Sequence, residues 1–324
     1  MCIRRDLILE KRCLISLILL LALQVPLLAQ QETYQHAFSV SFENDMFNKM
    51  DWYYTNGLQF LLYHESLEKS PFDRVLLPFK IRENDRAWYG LSLRQELFTP
   101  TDLEDDSIRA GDHPYAATLT LTQQRVVNRP ESGTRFTTGL RVGILGPAAL
   151  GFFAQDVIHR ITPSNPPKGW DYQVQNDIVL NYDFMVDKEI LRDGVSVFGL
   201  KGMARMGTLH TDFSGGFWYR LDTGQDYFER LGPSTDNPIN LYFQMQGTGR
   251  MVVYDATLQG GLFNKTSPYI IPAESVHRLV ADNNMALLLQ IRGHQLGLYQ
   301  NITSSRFRES AWQGWLGINY NYWW

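Results

Sequence analysis

Phe42-Glu43-Asn44-Asp45 and Tyr53-Tyr54-Thr55-Asn56-Gly57 place a carboxylate, an amide and a hydroxyl on either side of one short connection. Asp45, Asn44 and Thr55 offer hard oxygen donors, the type that suits Ca²⁺. The plain alternative is a polar turn between two strands. Gly151, Gln155 and His159 recur at i, i+4, i+8, so one helical face would align a glutamine with a histidine. An imidazole titrates near neutral pH and can take a proton from water. The bland reading of His159 is a surface histidine at a helix end. In Lys168-Gly169-Trp170-Asp171-Tyr172-Gln173, Asp171 could bind metal, orient the histidine or cap a turn. Asp112-His113-Pro114-Tyr115-Ala116-Ala117 follows the acidic run Asp102 to Asp106, which reads as a solvated loop. There is no Gly-x-Ser-x-Gly elbow and no His-Glu-x-x-His pair, so a covalent serine and a zinc peptidase have no sequence support. A water nucleophile, a histidine base and a hard cation remain.

These residues need a scaffold, and the surrounding sequence alternates with period two. Tyr34, Phe38, Val40 and Phe42 oppose Gln35, Ser39, Ser41 and Glu43. Phe136, Leu140, Val142 and Ile144 oppose Thr137, Gly139, Arg141 and Gly143. Such segments are strands with one apolar and one polar face. A soluble sandwich would bury the apolar face, whereas a membrane barrel turns it to lipid. Aromatic clusters at strand ends favour the barrel: Trp52-Tyr53-Tyr54, Trp88-Tyr89 and Trp323-Trp324. So do strand lengths that can cross a tilted bilayer path, and a chain that stops on an aromatic inside its last strand.

The expected fold is an all-β antiparallel transmembrane barrel of twelve strands, with a short helix in an outer-rim loop. The strands are expected at 34–43, 54–63, 88–97, 114–126, 135–145, 176–185, 194–204, 207–218, 240–249, 251–262, 284–300 and 309–323. With a periplasmic N-terminus, the connections 44–53, 98–113 and 146–175 open at the extracellular rim. The segments 64–87, 219–239 and 263–283 would then be periplasmic, although such turns are usually short. Small helices in them, or misdrawn central strands, would resolve the conflict. The helix is expected from Ala148 to Ile161, after Gly146-Pro147.

Residues 1–29 have the layout of a secretory signal peptide: Arg4, Arg5, Lys11 and Arg12, then an apolar run from Leu14 to Leu28 and Ala29. The barrel would occupy 30–324. Both cysteines, Cys2 and Cys13, lie in that leader, so thiol chemistry, zinc–thiolate sites and disulfides are excluded from the barrel. The formal net charge is −4, with no basic excess to hold nucleic acid.

Taken together, the segments resemble the outer-membrane lipid A 3'-O-deacylase family. The matching residues are Glu43-Asn44-Asp45, Tyr53-Tyr54-Thr55-Asn56-Gly57, Pro114-Tyr115-Ala116, Gly143-Ile144-Leu145-Gly146-Pro147, Gln155 with His159, and Gly169-Trp170-Asp171-Tyr172-Gln173. The resemblance implies a twelve-stranded barrel in the bacterial outer membrane that acts on lipid A of lipopolysaccharide. It implies Ca²⁺-dependent hydrolysis of the ester-linked 3'-acyloxyacyl group at the extracellular rim. His159 would activate water, and Gln155, Asn44 and Thr55 would share its pocket. Asp45 and Asp171 would be metal ligands, with Asp177 the alternative to Asp171. His113, Tyr115 and Lys168 would contact substrate. Where the family has arginine before Pro-Tyr-Ala-Gly, this chain has His113, which lacks a bidentate grip on phosphate. The departure implies a lipid A substrate with fewer phosphates, or a homologue that has drifted in substrate. The competing readings are another outer-membrane lipid esterase or phospholipase, and a non-catalytic barrel.

Overall fold

Period-two alternation builds twelve antiparallel strands, and β1 closes on β12 through Ala37↔Trp323 to Asn44↔Leu316. The computed structural model describes residues 34–45, 52–78, 80–161, 166–221, 227–233 and 238–324. The signal-peptide reading of 1–29 lies outside the described residues. The strands are β1 (Ala37–Asn44), β2 (Tyr53–Tyr63), β3 (Arg86–Thr99), β4 (Ala116–Arg129), β5 (Thr134–Leu145) and β6 (Asp177–Asp193). β7 (Ser196–Gly207), β8 (His210–Leu221), β9 (Ile239–Asp255), β10 (Leu279–Ile291), β11 (His294–Thr303) and β12 (Gln313–Trp323) complete the barrel. Among the described residues there are two α-helices, α1 (Gly151–Ile161) and the single turn α2 (Ala256–Gln259). None is long and apolar enough to cross a membrane.

Two expected boundaries are corrected, and their errors cancel in the strand count. The segments 240–249 and 251–262 were expected as two strands; they form one continuous β9 ending at Asp255, followed by α2. Gly247 and Gly249 imitate a turn, but both pair in register with β10. Conversely, 284–300 was expected as one strand and is the β10–β11 hairpin, turned at Arg292-Gly293. Arg292 adopts φ +53, a left-handed conformation for which arginine gives little sequence warning. As a result, the connection after β9 moves to the opposite end from that expected for 263–283. It joins the connections after β1, β3, β5, β7 and β11 at the end that carries α1, hereafter the helix end. The long segments after β2 and β8 do lie at the other end, with the N-terminus of β1 and the C-terminus of β12. The first contains two 3₁₀ turns, Glu65–Lys69 and Pro71–Val75.

Strand parity sorts the side chains. Phe38, Phe60, Leu93, Leu121 and Val142 are exposed on the outer wall. The opposite parity fills the lumen with charge: Arg94 bridges Glu43 and Glu96, Arg205 meets Asp212, Arg141 meets Asp183, and Arg250 meets Asp282. Buried charges of this density persist only when paired. Two adjoining cavities of about 380 and 300 Å³ remain between them, sharing Arg94, Glu96, Met203, Arg205 and His210. At the terminal end, residues 227–233 fold inward, where Phe228 packs with Trp218 and Val197 and Leu231 with Trp323.

Candidate active site

The site residues are set by β1 and β2 at the helix end. Leu58, Phe60 and Leu62 face outward on β2, and a bulge between Tyr54 and Asn56 interrupts the register there. Tyr54 points into the lumen, where its hydroxyl donates to Glu43. Asn56 pairs with Asn44 and takes the outward parity of Leu58. The bulge adds Thr55 between them, and re-aiming a side chain is what a bulge does. The Thr55 hydroxyl lies 2.6 Å from that of Thr99, which continues the outward row of Gln95 and Leu97 on β3. The Asp45 backbone N–H donates to the Thr55 carbonyl at 3.4 Å, and the Trp52 backbone N–H donates to Asp45 Oδ2 at 2.8 Å. Asn44, Asp45, Thr55, Asn56 and Thr99 are all buried, although Asn44, Asn56 and Thr99 carry the parity that elsewhere meets lipid.

Part of the cover over this flank is α1. Gly146 (φ +101) turns the chain out of β5, and Pro147–Ala149 forms a 3₁₀ turn before the helix. Gln95 Nε2 donates to the Ala149 carbonyl at 2.6 Å, which ties the helix start to the outer face of β3. A side chain at Gly151 would collide with Ala117 of β4 and with Trp170, so the helix backbone rests directly on the wall. Leu97, Ala117, Ala149, Trp170, Leu103 and Tyr115 form the apolar cluster beneath and beside it.

The orientation of α1 is inverted relative to a soluble amphipathic helix. Its buried residues are Gly151, Gln155 and His159, the polar stripe. Phe152, Phe153, Val157 and Ile161 are exposed, Ile161 by 67%. In water the apolar stripe would turn to the core; against a barrel wall in a bilayer, the outer face meets acyl chains. Gln155 Oε1 accepts from Trp170 Nε1 at 2.7 Å, while Gln155 Nε2 is buried without a hydrogen-bond partner among the described residues. Asn56 Nδ2 is in the same condition. The outer wall at the helix end thus carries a buried carboxylate, two hydroxyls and two asparagines on and beside β1 to β3, and α1, which packs on β3 and β4, buries a glutamine and a histidine.

The remaining sequence candidates fall elsewhere. Asp171 and Lys168 line a cleft of about 730 Å³ with Asp106, Leu150, Phe152, Phe153 and Trp170. Asp177 is an anchor: its carboxylate accepts the backbone N–H groups of Ile178, Phe263 and Asn264 at 2.6–2.9 Å. Tyr115 is buried against Trp170, with ring centroids 4.9 Å apart. His113 is 1% exposed and stacks on Phe98 at 5.5 Å, between Tyr53 and Phe307. The structure thus places His113 and Tyr115 in packing positions that present no edge to a surface ligand. Sequence reasoning missed Asn56 and Thr99. The first sat inside a quoted motif, and the second is found by extending the Leu93, Gln95, Leu97 row by one position.

Burial and the Arg306 guanidinium push the His113 imidazole down from 6.5 to about 3. It is therefore neutral and brings no cationic charge to a phosphate. An imidazole in an opened 100–115 connection takes up a proton that the packed one refuses, so packing is fully favourable above about pH 6.5 and weakens as pH falls toward 3. Amide-exchange protection of residues 100–115, corrected for intrinsic rates, is expected to fall by up to about tenfold per pH unit in that window. In His113→Phe that added dependence should vanish; an unchanged slope would refute the assignment.

A closed antiparallel barrel with an apolar outer wall and a charged lumen defines an outer-membrane β-barrel protein. The chain belongs to the outer membrane protein LpxR family, which it matches over residues 14–324; this is the lipid A 3'-O-deacylase family that the motifs resemble. It is similar to the solved structure of LpxR from Salmonella typhimurium, with 18% identity, a TM-score of 0.72, and coverage of 89% of this chain and 100% of that one. The β domain of the Bordetella autotransporter BrkA gives 9% identity and a TM-score of 0.43 over 89% of this chain and 97% of that one. The NanC porin gives 6% and 0.39 over 89% and 98%. No curated protein matches the chain.

Proposed function

We propose that this chain is a deacylase that removes the ester-linked 3'-acyloxyacyl group of lipid A at the extracellular rim, by attack of water. The observation that carries the reading is the inverted helix: Gln155 and His159 are buried toward the wall while Phe153, Val157 and Ile161 look outward. A soluble substrate needs no such arrangement. A lipid arriving sideways does, because its acyl chains can stay on the apolar wall while its ester enters the polar seam.

His159 takes the proton from water as the oxygen attacks the ester carbonyl, and returns it to the departing sugar hydroxyl. The Gln155 and Asn56 amide N–H groups lack partners among the described residues, which supports a role for them as donors to the developing oxyanion. Asn44 and Thr55 complete the polar wall opposite the helix. Lys168, at the open cleft beside α1, can meet an anionic headgroup.

The donors around Asp45 fit a hard cation. Asp45 is fully buried and follows Asn44 in the chain, and its backbone N–H reaches the Thr55 carbonyl, so oxygen donors are the side-chain types available beside it. Among the described residues no group of three or more His, Cys, Asp or Glu side chains could hold a metal, so neutral oxygens would make up the shell with Asp45. When bound, Ca²⁺ would supply Lewis-acid polarisation of the ester carbonyl. Asp171, which lines the cleft beside α1 with Lys168, is not used in this ligand set.

The test is mass spectrometry of lipid A and phospholipids from cells displaying the protein and from cells without it. Loss of one acyloxyacyl group supports the reading; phospholipid turnover with intact lipid A replaces it with a phospholipase. Chelation of purified protein is expected to lower activity at least about tenfold, with recovery on Ca²⁺ add-back. Full activity after chelation would remove the cation from the mechanism.

A further inference from the structure

The outward faces of β4 and β5 become polar toward the terminal end. After Leu119, Leu121, Val142 and Leu140, the same rows continue as Gln123, Arg125 and Thr138. A bare arginine on the lipid face of a barrel is destabilising. These side chains are not bare. Residues 65–78 lie over them on the outside of the barrel. Arg125 donates to Asp73 Oδ1 (2.9 Å), the Leu76 carbonyl (3.0 Å) and the Pro78 carbonyl (2.9 Å). Thr138 donates to the Leu77 carbonyl at 2.6 Å, Gln123 to the Leu67 carbonyl at 3.3 Å, and Tyr182 to the Val75 carbonyl at 2.9 Å.

The far side of this segment is apolar. A 3₁₀ turn repeats every three residues, so i and i+3 share a face. Asp73 and Leu76 are buried on the wall, and Phe72 (55%) and Val75 (49%) are exposed on the other side. Lys69, Arg74 and Lys80 are exposed around Phe72 and Val75, while the exposed carboxylates Glu65 and Glu68 lie in the preceding turn. This repeats the logic of α1 at the helix end: polar groups go inward to the wall and apolar groups outward. An apolar face rimmed by cations, continuous with a lipid-facing wall, is the pattern of an element lying in a membrane interface.

We propose that residues 65–78 are a membrane-interface anchor for the phospholipid leaflet at the terminal end of the barrel, with Phe72 and Val75 among the acyl chains and Lys69, Arg74 and Lys80 at phosphate level. The segment and α1 sit on the same β3–β5 flank, one at each end. The anchor therefore fixes the depth at which α1 meets the bilayer, whatever chemistry the site performs.

Residues 34–324 contain no cysteine, so a single introduced thiol labels uniquely once Cys2 and Cys13 are serine. Phe72→Cys and Val75→Cys, nitroxide-labelled and refolded into phosphatidylethanolamine–phosphatidylglycerol vesicles, are compared with Leu289→Cys on the lipid wall and Glu83→Cys in an exposed loop. Folding is checked by heat-dependent electrophoretic mobility, and either of the first two variants suffices. The ratio of collisions with oxygen to those with a water-soluble nickel chelate should be several-fold higher at Phe72 and Val75 than at Glu83, close to Leu289. A ratio equal to that of Glu83 overturns the anchor. Spin–spin broadening at Phe72 also overturns it, because a second copy would then cover the face.

Discussion

His159→Ala is expected to leave a folded, surface-displayed barrel that removes the acyloxyacyl group about 10²–10⁴-fold more slowly than wild type, the range general-base catalysis supplies. His159 lies in the last turn of α1, outside every strand, so its loss breaks no strand ladder. Its buried stripe is shared with Gly151 and Gln155, so the seam persists without the imidazole. His159→Gln separates base from packing: it restores volume and hydrogen bonding but cannot carry the proton. Both variants should lose rate with little change in apparent substrate affinity. Equal rates for wild type and both variants, measured on the same lipid A, would remove the base and leave only the scaffold.

The architecture was legible because alternation is local, and each outward leucine or phenylalanine announces its face. Boundaries failed where the backbone broke its own cues. β9 runs through Gly247 and Gly249 without turning, while β10 turns at Arg292, a residue type that rarely signals φ +53. Both stripes of α1 were visible as i, i+4, i+8 series, but periodicity cannot say which stripe is buried. That is decided by the solvent on the other side, and here the solvent is lipid. The charged lumen shows a related blindness. Arg94 and Glu96 alternate with Leu93, Gln95 and Leu97, yet their partners Glu43, Arg141 and Tyr54 come from other strands. Glu43 and Tyr54 directly precede Asn44 and Thr55, so the lumen network braces the two strands that carry the buried polar residues of the outer wall. His113 misled for the opposite reason. A histidine in a polar loop motif looks available, whereas tertiary packing buries it between Phe98, Tyr53 and Phe307.

Gly151→Ala is the sharper test of the helix-on-wall geometry, because ordinary helix physics points the other way. Alanine in place of glycine favours a helix by up to about 1 kcal/mol. Here the added methyl would lie 2.5 Å from Ala117 Cβ and 2.6 Å from the Trp170 ring. Neither neighbour can yield easily: Ala117 belongs to β4 and pairs with Leu97, and Trp170 is held by the Gln155 side chain. The helix must therefore lift by about an ångström, carrying Gln155 and His159 with it, and a displacement of that size near reacting groups costs on the order of 10²-fold in rate. The strands are untouched, so heat-dependent mobility and β-sheet circular dichroism should match wild type. Trp170→Ala empties half of the clash, and in the double variant part of the activity should return, a coupling that two independent losses would not produce. Full activity of Gly151→Ala alone would mean that α1 does not rest on the wall at this point, and the pocket would have to be rebuilt around a different contact.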